Sequence, residues 1–282
     1  MIKENTNDIW GCARNPFTSF YGMRMNPFTK ELPAKDAYRT LDMEQMQGRL
    51  MYLKEHPGIG LFTSTPGQGK TFSLKYFSDS LDPGLVKLCY TCVSTASTAD
   101  FYRQLCASFG LEISHRESNM RQRIWKYLYL MCTSKNIHCM LCMDEAQNLN
   151  SDSFRELNTL CSFCMDSKNY FSLILLGQPA LTNFLTQQPN KALQQRICVN
   201  YNFTGITQEE ARNYINDRMV LAGAAPQIFD ESALTTACGS CHNSLHQLNL
   251  ILTRALAIGA QNGMKRIDSD MMQAAVHACV RV

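Results

Sequence analysis

The chain has 282 residues, of which 45% are hydrophobic and 18% charged. A polypeptide of this length buries roughly three quarters of its unfolded surface, so a core forms without disulfide or metal staples, and the composition excludes a disordered or fibrous chain. The 27 Lys and Arg against 24 Asp and Glu leave a net charge of +3, which permits a local face for nucleic acid but does not argue for one.

Residues 1–30 are rich in Asn, Pro, aromatic and basic side chains and lack a helical period. They read as an irregular arm ending in a packed stretch, Phe20-Tyr21-Gly22-Met23-Arg24-Met25-Asn26-Pro27-Phe28. A short helix is expected over 41–54, closed by the breaker cluster His56-Pro57-Gly58. Residues 59–63 form a buried-strand candidate, followed by a Gly-containing loop, a helix over 70–80 and a strand over 85–91. Helices follow at 98–109 and 119–134; in the second, Met120, Ile124, Tyr127, Leu128 and Met131 share one face, opposite Arg121, Gln122, Arg123 and Lys126. The segment 137–143 is nearly all apolar, as suits a strand covered on both sides. A helix after Ser151 aligns Phe154, Leu157, Cys161 and Cys164, and further strands are expected over 171–176 and, more weakly, 198–203. Strands alternating with helices predict a parallel sheet flanked by helices on both faces.

Beyond Thr204 only helical period remains. Thr207 and Glu210 have capping-box spacing, and Ala211, Tyr214, Ile215 and Met219 follow on one face. Leu245, Leu248, Leu252, Ala255, Leu256 and Gly259 make a second stripe. Asp268 can cap a last helix with Met272, Ala275, Val276 and Cys279 inward. The expected organisation is an arm and linker helix at 1–55, an α/β core at 56–204 and a small all-helical domain at 205–282.

The segment Ser64-Thr65-Pro66-Gly67-Gln68-Gly69-Lys70-Thr71, continuing into Phe72, lies between a predicted strand and a predicted helix. It fits the phosphate-loop pattern GxxxxGK[ST] except that Ser64 replaces the first glycine, which works if that position needs no positive φ. Backbone N–H groups and a helix N-terminus would hold phosphates, Lys70 would reach the β and γ oxygens, and Thr71 would bind Mg²⁺. A second constellation is Asp144-Glu145, closing the apolar strand before it. Neighbouring side chains on a strand diverge, so Asp144 can face the Mg²⁺ shell while Glu145 faces, orients and deprotonates the attacking water. Gln178, directly after the 171–177 segment, can touch the γ-phosphate or that water; the alternative is a polar loop residue before Pro179. Arg196 in Leu193-Gln194-Gln195-Arg196-Ile197 is either an arginine finger for a neighbouring subunit's nucleotide or a solvated helix-end arginine.

Taken in order, Tyr21-Gly22, Asn26-Pro27-Phe28, PGQGKT, MDEAQ, LLGQPAL, LQQRI and the helical tail resemble AAA+ ATPases of the ExeA/TniB/MuB type over about residues 20–275. The resemblance implies an α/β P-loop NTPase (AAA+) sheet followed by a helical lid, with ATP and Mg²⁺ bound at the residues just named. It implies ATP hydrolysis, a homo-oligomeric ring or filament, assembly on DNA, and recruitment or activation of a transposase or integrase-like protein. It also supports the sensor role of Gln178 and the finger role of Arg196. Secretion ATPases of the group add a membrane segment and a peptidoglycan-binding module, neither of which is visible here, so the transposition type is favoured. The alternatives are a non-catalytic nucleotide-dependent oligomerisation switch and an ExeA-like ATPase acting on a protein partner. Similar proteins carry G-x-P-R-x-I-N in the lid, whereas this chain reads Asn243-Ser244-Leu245-His246-Gln247-Leu248-Asn249. His246 replaces the sensor arginine, and a neutral imidazole brings no permanent charge, so slow hydrolysis is expected.

Thirteen cysteines accompany an N-terminus without an apolar secretory core, which predicts reduced thiols in the cytoplasm. The longest apolar run, 171–176, is far short of the ~20 residues that span a bilayer, so no membrane contact is expected. CxxC spacing occurs at Cys89/Cys92, Cys139/Cys142, Cys161/Cys164 and Cys238/Cys241, the last followed by His242. Cys139 and Cys142 would oppose each other on a strand, and Cys161 and Cys164 read as small core residues, so no metal is expected there. Arg121, Arg123 and Lys126 beside Trp125 form the candidate DNA face, with an ordinary solvated face as the alternative.

Overall fold

The computed structural model describes residues 16–29, 33, 36–94, 97–162, 169–225 and 227–280. The expectations for residues before Pro16, and for Cys164, lie outside the described residues. In chain order the elements are α1 (Pro16–Phe20), α2 (Leu41–Glu55), β1 (Ile59–Thr63), α3 (Lys70–Asp79), β2 (Val86–Cys92), α4 (Thr98–Phe109), α5 (Glu117–Thr133) and β3 (His138–Asp144). There follow α6 (Ser151–Cys161), β4 (Phe171–Gly177), α7 (Pro179–Leu185), α8 (Lys191–Gln194), β5 (Ile197–Asn202), α9 (Gln208–Leu221), α10 (Glu231–Ser240), α11 (Leu245–Gln261) and α12 (Ser269–Val280).

Local chemistry sets many of these ends. Thr40, Ser97 and Asn150 cap α2, α4 and α6 by accepting from the N–H groups of Met43, Asp100 and Ser153. Gly110 closes α4 at φ 72, a conformation only glycine adopts freely. The Thr207–Glu210 capping box forms as its spacing predicts.

The five strands make one parallel sheet in the order β2-β3-β4-β1-β5. One face packs Ile59, Leu61, Cys139, Leu141, Leu173 and Leu175 against α4, α5 and α6. The other packs Phe62, Met140, Cys142, Ile174 and Leu176 against Met46, Leu50 and Leu53 of α2 and Leu74 and Phe77 of α3. Cys139 and Cys142 therefore belong to opposite layers. Asp42, 3% exposed, ties α2 to the end of β5 by accepting from Tyr201 Oη at 2.6 Å, Gly205 N at 2.7 Å and Thr204 N at 3.1 Å.

The chain divides into two compact units. One spans Arg39–Gly205, and the other combines the described residues up to Tyr38 with those from Ile206 onward. This differs from the expected 1–55, 56–204 and 205–282, because sequence position does not tell which core a flanking segment joins. The helix α2 lies beneath the sheet, whereas Phe17, Tyr21, Met23 and Phe28 fill the core of the helical unit. There the Tyr21 hydroxyl donates to Met264 O at 3.0 Å, and the fully buried Arg218 donates to Pro27 O and Asp36 O, each at 2.9 Å. The helix α10 has no counterpart in the sequence reading: its short, small side chains (Ala, Thr, Cys, Gly) carry little apolar period, yet Ala233, Ala237 and Cys238 are buried.

Candidate nucleotide site

In a parallel sheet the carboxyl ends of the strands share one edge, and β1, β3 and β4 bring their following residues together there. After β1 the chain turns through Ser64–Gly69 into α3. Gly67 and Gly69 take φ of 85° and 96°, where any side chain would be strained, and Gly69 is the residue preceding the helix. Ser64 is not among the residues with positive φ, so its Cβ is tolerated where the pattern has glycine. Its N–H donates to Gly177 O at 3.1 Å, anchoring the loop to the end of β4. The loop is further braced by Thr65 N donating to Gln68 Oε1 at 3.1 Å. Pro66 is exposed, and Gly67, Gln68 and Phe72 are half-buried.

Lys70 is 7% exposed, and its ammonium donates to Ser64 Oγ at 2.7 Å. Burial pulls its pKa below the usual lysine value, an effect opposed by the carboxylates of Asp144 and Glu145. Thr71, the second residue of the helix, is exposed, and its hydroxyl donates to Asp144 Oδ2 at 2.7 Å. The hydroxyl and the carboxylate are hard oxygen donors side by side, the chemistry that suits Mg²⁺. Tyr90 of β2 also donates to Asp144 Oδ2, at 3.0 Å, and Glu145 N donates to Oδ1 at 2.9 Å. Burial, together with the neighbouring Asp144 charge, pushes the Tyr90 phenol well up, so it stays a donor.

Glu145 has φ 54°, just past the end of the strand, and its carboxylate accepts from Gln147 Nε2, whereas that of Asp144 meets Thr71 and Tyr90. Gln178 directly follows β4, the strand between β1 and β3, and so its backbone lies between the loop and the two carboxylates. Lys70, Thr71, Asp144, Glu145 and Gln178 are thus gathered at one edge. Arg196 is not. It precedes β5, and Ile59 pairs with Ile197 while Thr63 pairs with Asn202, so Arg196 stands at the other end of the sheet, roughly 15 Å along the strand. Its guanidinium donates to Ser162 Oγ at 3.0 Å and Asn158 O at 3.3 Å.

The candidate DNA face is partly consumed. Arg121 pairs with Glu156 at 3.3 Å, Arg123 with Glu112 at 3.1 Å, and Trp125 packs against the core. His246 lies exposed in the first turn of α11. The sequence reading assigned no role to Tyr90 or Gln147. Gln147 stood inside the MDEAQ stretch, but only the pairing of β2 with β3 puts Tyr90 beside Asp144.

The strand order, the loop after β1 and the acidic end of β3 are the fold of a P-loop NTPase of the AAA+ class, with a helical region after the sheet. Residues 53–185 match a family model described as an AAA domain. The chain is 26% identical over 264 residues to General secretion pathway protein A of Aeromonas hydrophila, covering 92% of this chain and 48% of that protein. It therefore spans about half the length of the curated relative it matches. Similar solved structures include Cdc6p from Pyrobaculum aerophilum (TM-score 0.65, 17% identity, 86% of this chain and 67% of that one). The ORC2 protein of Aeropyrum pernix gives 0.67 at 14% identity, covering 89% and 71%. Drosophila ORC bound to DNA gives 0.70 at 12%, covering 99% and 70%. At these identities the likeness is one of fold.

Proposed function

We propose that this protein binds ATP with Mg²⁺ at the loop Ser64–Thr71 and hydrolyses it at junctions between copies of itself. The observation that carries the reading is the 2.7 Å contact between Thr71 and Asp144, beside a buried Lys70. Lys70 and the loop N–H groups would hold the phosphates, and Thr71 and Asp144 would hold the cation. Bound there, Mg²⁺ neutralises phosphate charge. Glu145 takes a proton from the attacking water as the bond to the ADP leaving oxygen breaks, yielding ADP and phosphate. Gln178 orients that water or the γ-phosphate. Arg196, at the far end of its own sheet, serves a neighbouring copy. The test is Glu145→Gln: ATP binding stays within a few-fold and hydrolysis slows by roughly 10²- to 10⁴-fold. Turnover at the unaltered rate removes Glu145 from the mechanism. Phosphate release no higher than that of Lys70→Ala would leave a non-catalytic nucleotide switch.

Two readings of the partner follow from different observations. The ordered motifs support ATP-dependent assembly on DNA that recruits a transposase or integrase-like protein. The relative in a secretion pathway, alignable over 92% of this chain, supports an ATPase acting on a protein instead. Gel shifts with and without ATP across a salt titration separate them, since DNA binding through phosphates weakens steeply with salt. A cytoplasmic location is supported by the cysteine-rich composition, since free thiols persist in a reducing compartment. Among the described residues no helix is long and apolar enough to cross a membrane.

A further inference from the structure

We infer that Gln147 is a positioning residue that fixes the Glu145 carboxylate to the end of β4; this rests on the reading of Glu145 as the base. The Gln147 amide uses both of its functions. Nε2 donates to Glu145 Oε2 at 2.5 Å, and Oε1 accepts from Gln178 N at 3.1 Å. A carboxylate only accepts and a backbone N–H only donates, so the chemistry of the partners dictates which way the amide faces.

Room for it is built into the neighbouring strand. A methyl group at Gly177 would stand 2.7 Å from Gln147 Oε1 and 2.7 Å from Leu181 Cδ2. Gly177 has an ordinary strand conformation, so this close approach, rather than backbone freedom, calls for glycine there. The carbonyl of Gly177 also receives Ser64 N, and Ser64 Oγ receives Lys70. A continuous set of hydrogen bonds thus runs from Lys70 through Ser64, the Gly177–Gln178 peptide and Gln147 to Glu145. With one carboxylate oxygen tied, the other is left oriented to accept a proton. Without the tie, the carboxylate rotates freely about its last bond.

The test uses steady-state phosphate release by the full chain and the variants Gln147→Ala, Gln147→Glu and Gly177→Ala, with Lys70→Ala and Glu145→Gln as controls. Loss of orientation in Gln147→Ala lowers kcat by roughly 10- to 100-fold. KM for ATP stays within about threefold. Gly177→Ala, which retains Gln147 but displaces its amide, shows the same split. In Gln147→Glu the introduced acid keeps the acceptor for Gln178 N but donates to Glu145 only while protonated, because two adjacent carboxylates share one proton. Its kcat therefore falls relative to the unaltered protein as pH rises and recovers toward acid pH, a profile that a purely structural role does not produce. If Gln147→Ala and Gly177→Ala keep full kcat, or lose only KM, while Glu145→Gln is inactive, this inference falls and the reading of the site stands. Phosphate release no greater than that of Lys70→Ala overturns both.

Discussion

The hydroxyl of Thr71 and the carboxylate of Asp144, separated by 73 positions in the chain, lie 2.7 Å apart at the shared edge of the sheet. One is the first hydroxyl of α3 and the other the last residue of β3, and the intervening strand β4 sets their spacing. Thr71→Val removes one cation ligand and leaves the loop N–H groups in place. Nucleotide affinity in EDTA then stays within a few-fold, while the gain conferred by Mg²⁺ shrinks by about tenfold, or about 1.4 kcal/mol. Titration of a fluorescent nucleotide with and without Mg²⁺ reads this; an undiminished Mg²⁺ effect excludes Thr71 as a ligand.

Tyr90 supplies a second donor to the same Asp144 oxygen at 3.0 Å. Tyr90→Phe keeps the ring and deletes that donor, so urea denaturation without nucleotide should show a loss of about 1 kcal/mol. A stability equal to that of the unaltered protein means that solvent replaces the phenol at no cost.

Asp42 meets two backbone donors and a phenol at the end of β5, with Gly205 N at 2.7 Å. Asp42→Ala strands the buried Gly205 N–H and removes the acceptor of Thr204 N and Tyr201 Oη, for a loss of roughly 2 kcal/mol. Asp42→Asn, still an acceptor but uncharged, loses less. Equal losses for the two variants contradict a hydrogen-bonding role.

His138 stands on β3 with Nε2 at 3.1 Å from Ser172 Oγ, whose own proton goes to Leu53 O at 2.6 Å, so the imidazole is the donor. Burial lowers its pKa below the ordinary 6.5. The folded protein then binds fewer protons than the unfolded chain, so the stability contribution is complete above about pH 6.5. It declines as pH falls from there toward the folded pKa, by at most about 1.4 kcal/mol per pH unit. Denaturation at pH 7.5 and 5.5 should show His138→Gln losing less than the unaltered protein; identical acid losses would assign that slope elsewhere.

The alternation of apolar strands with amphipathic helices is short-range physics, and residues 59–63 and 98–109 could be bounded from it. The spacing of Gly67, Gly69, Lys70 and Thr71 is equally local, because a tight loop opening a helix needs its glycines at set positions. By contrast, Tyr90 and Gln147 acquire meaning only from strand neighbours that periodicity does not name, the pairing of β2 with β3 for one and the end of β4 for the other. The division between units was likewise decided by burial, since an apolar segment such as 17–28 joins whichever core offers it the better cover. The sequence by itself thus determined the alternation of strands with helices and the chemistry of the phosphate loop. The tertiary structure decided which side chains meet around Asp144 and Glu145, because such meetings depend on strand order and packing, which no local pattern encodes.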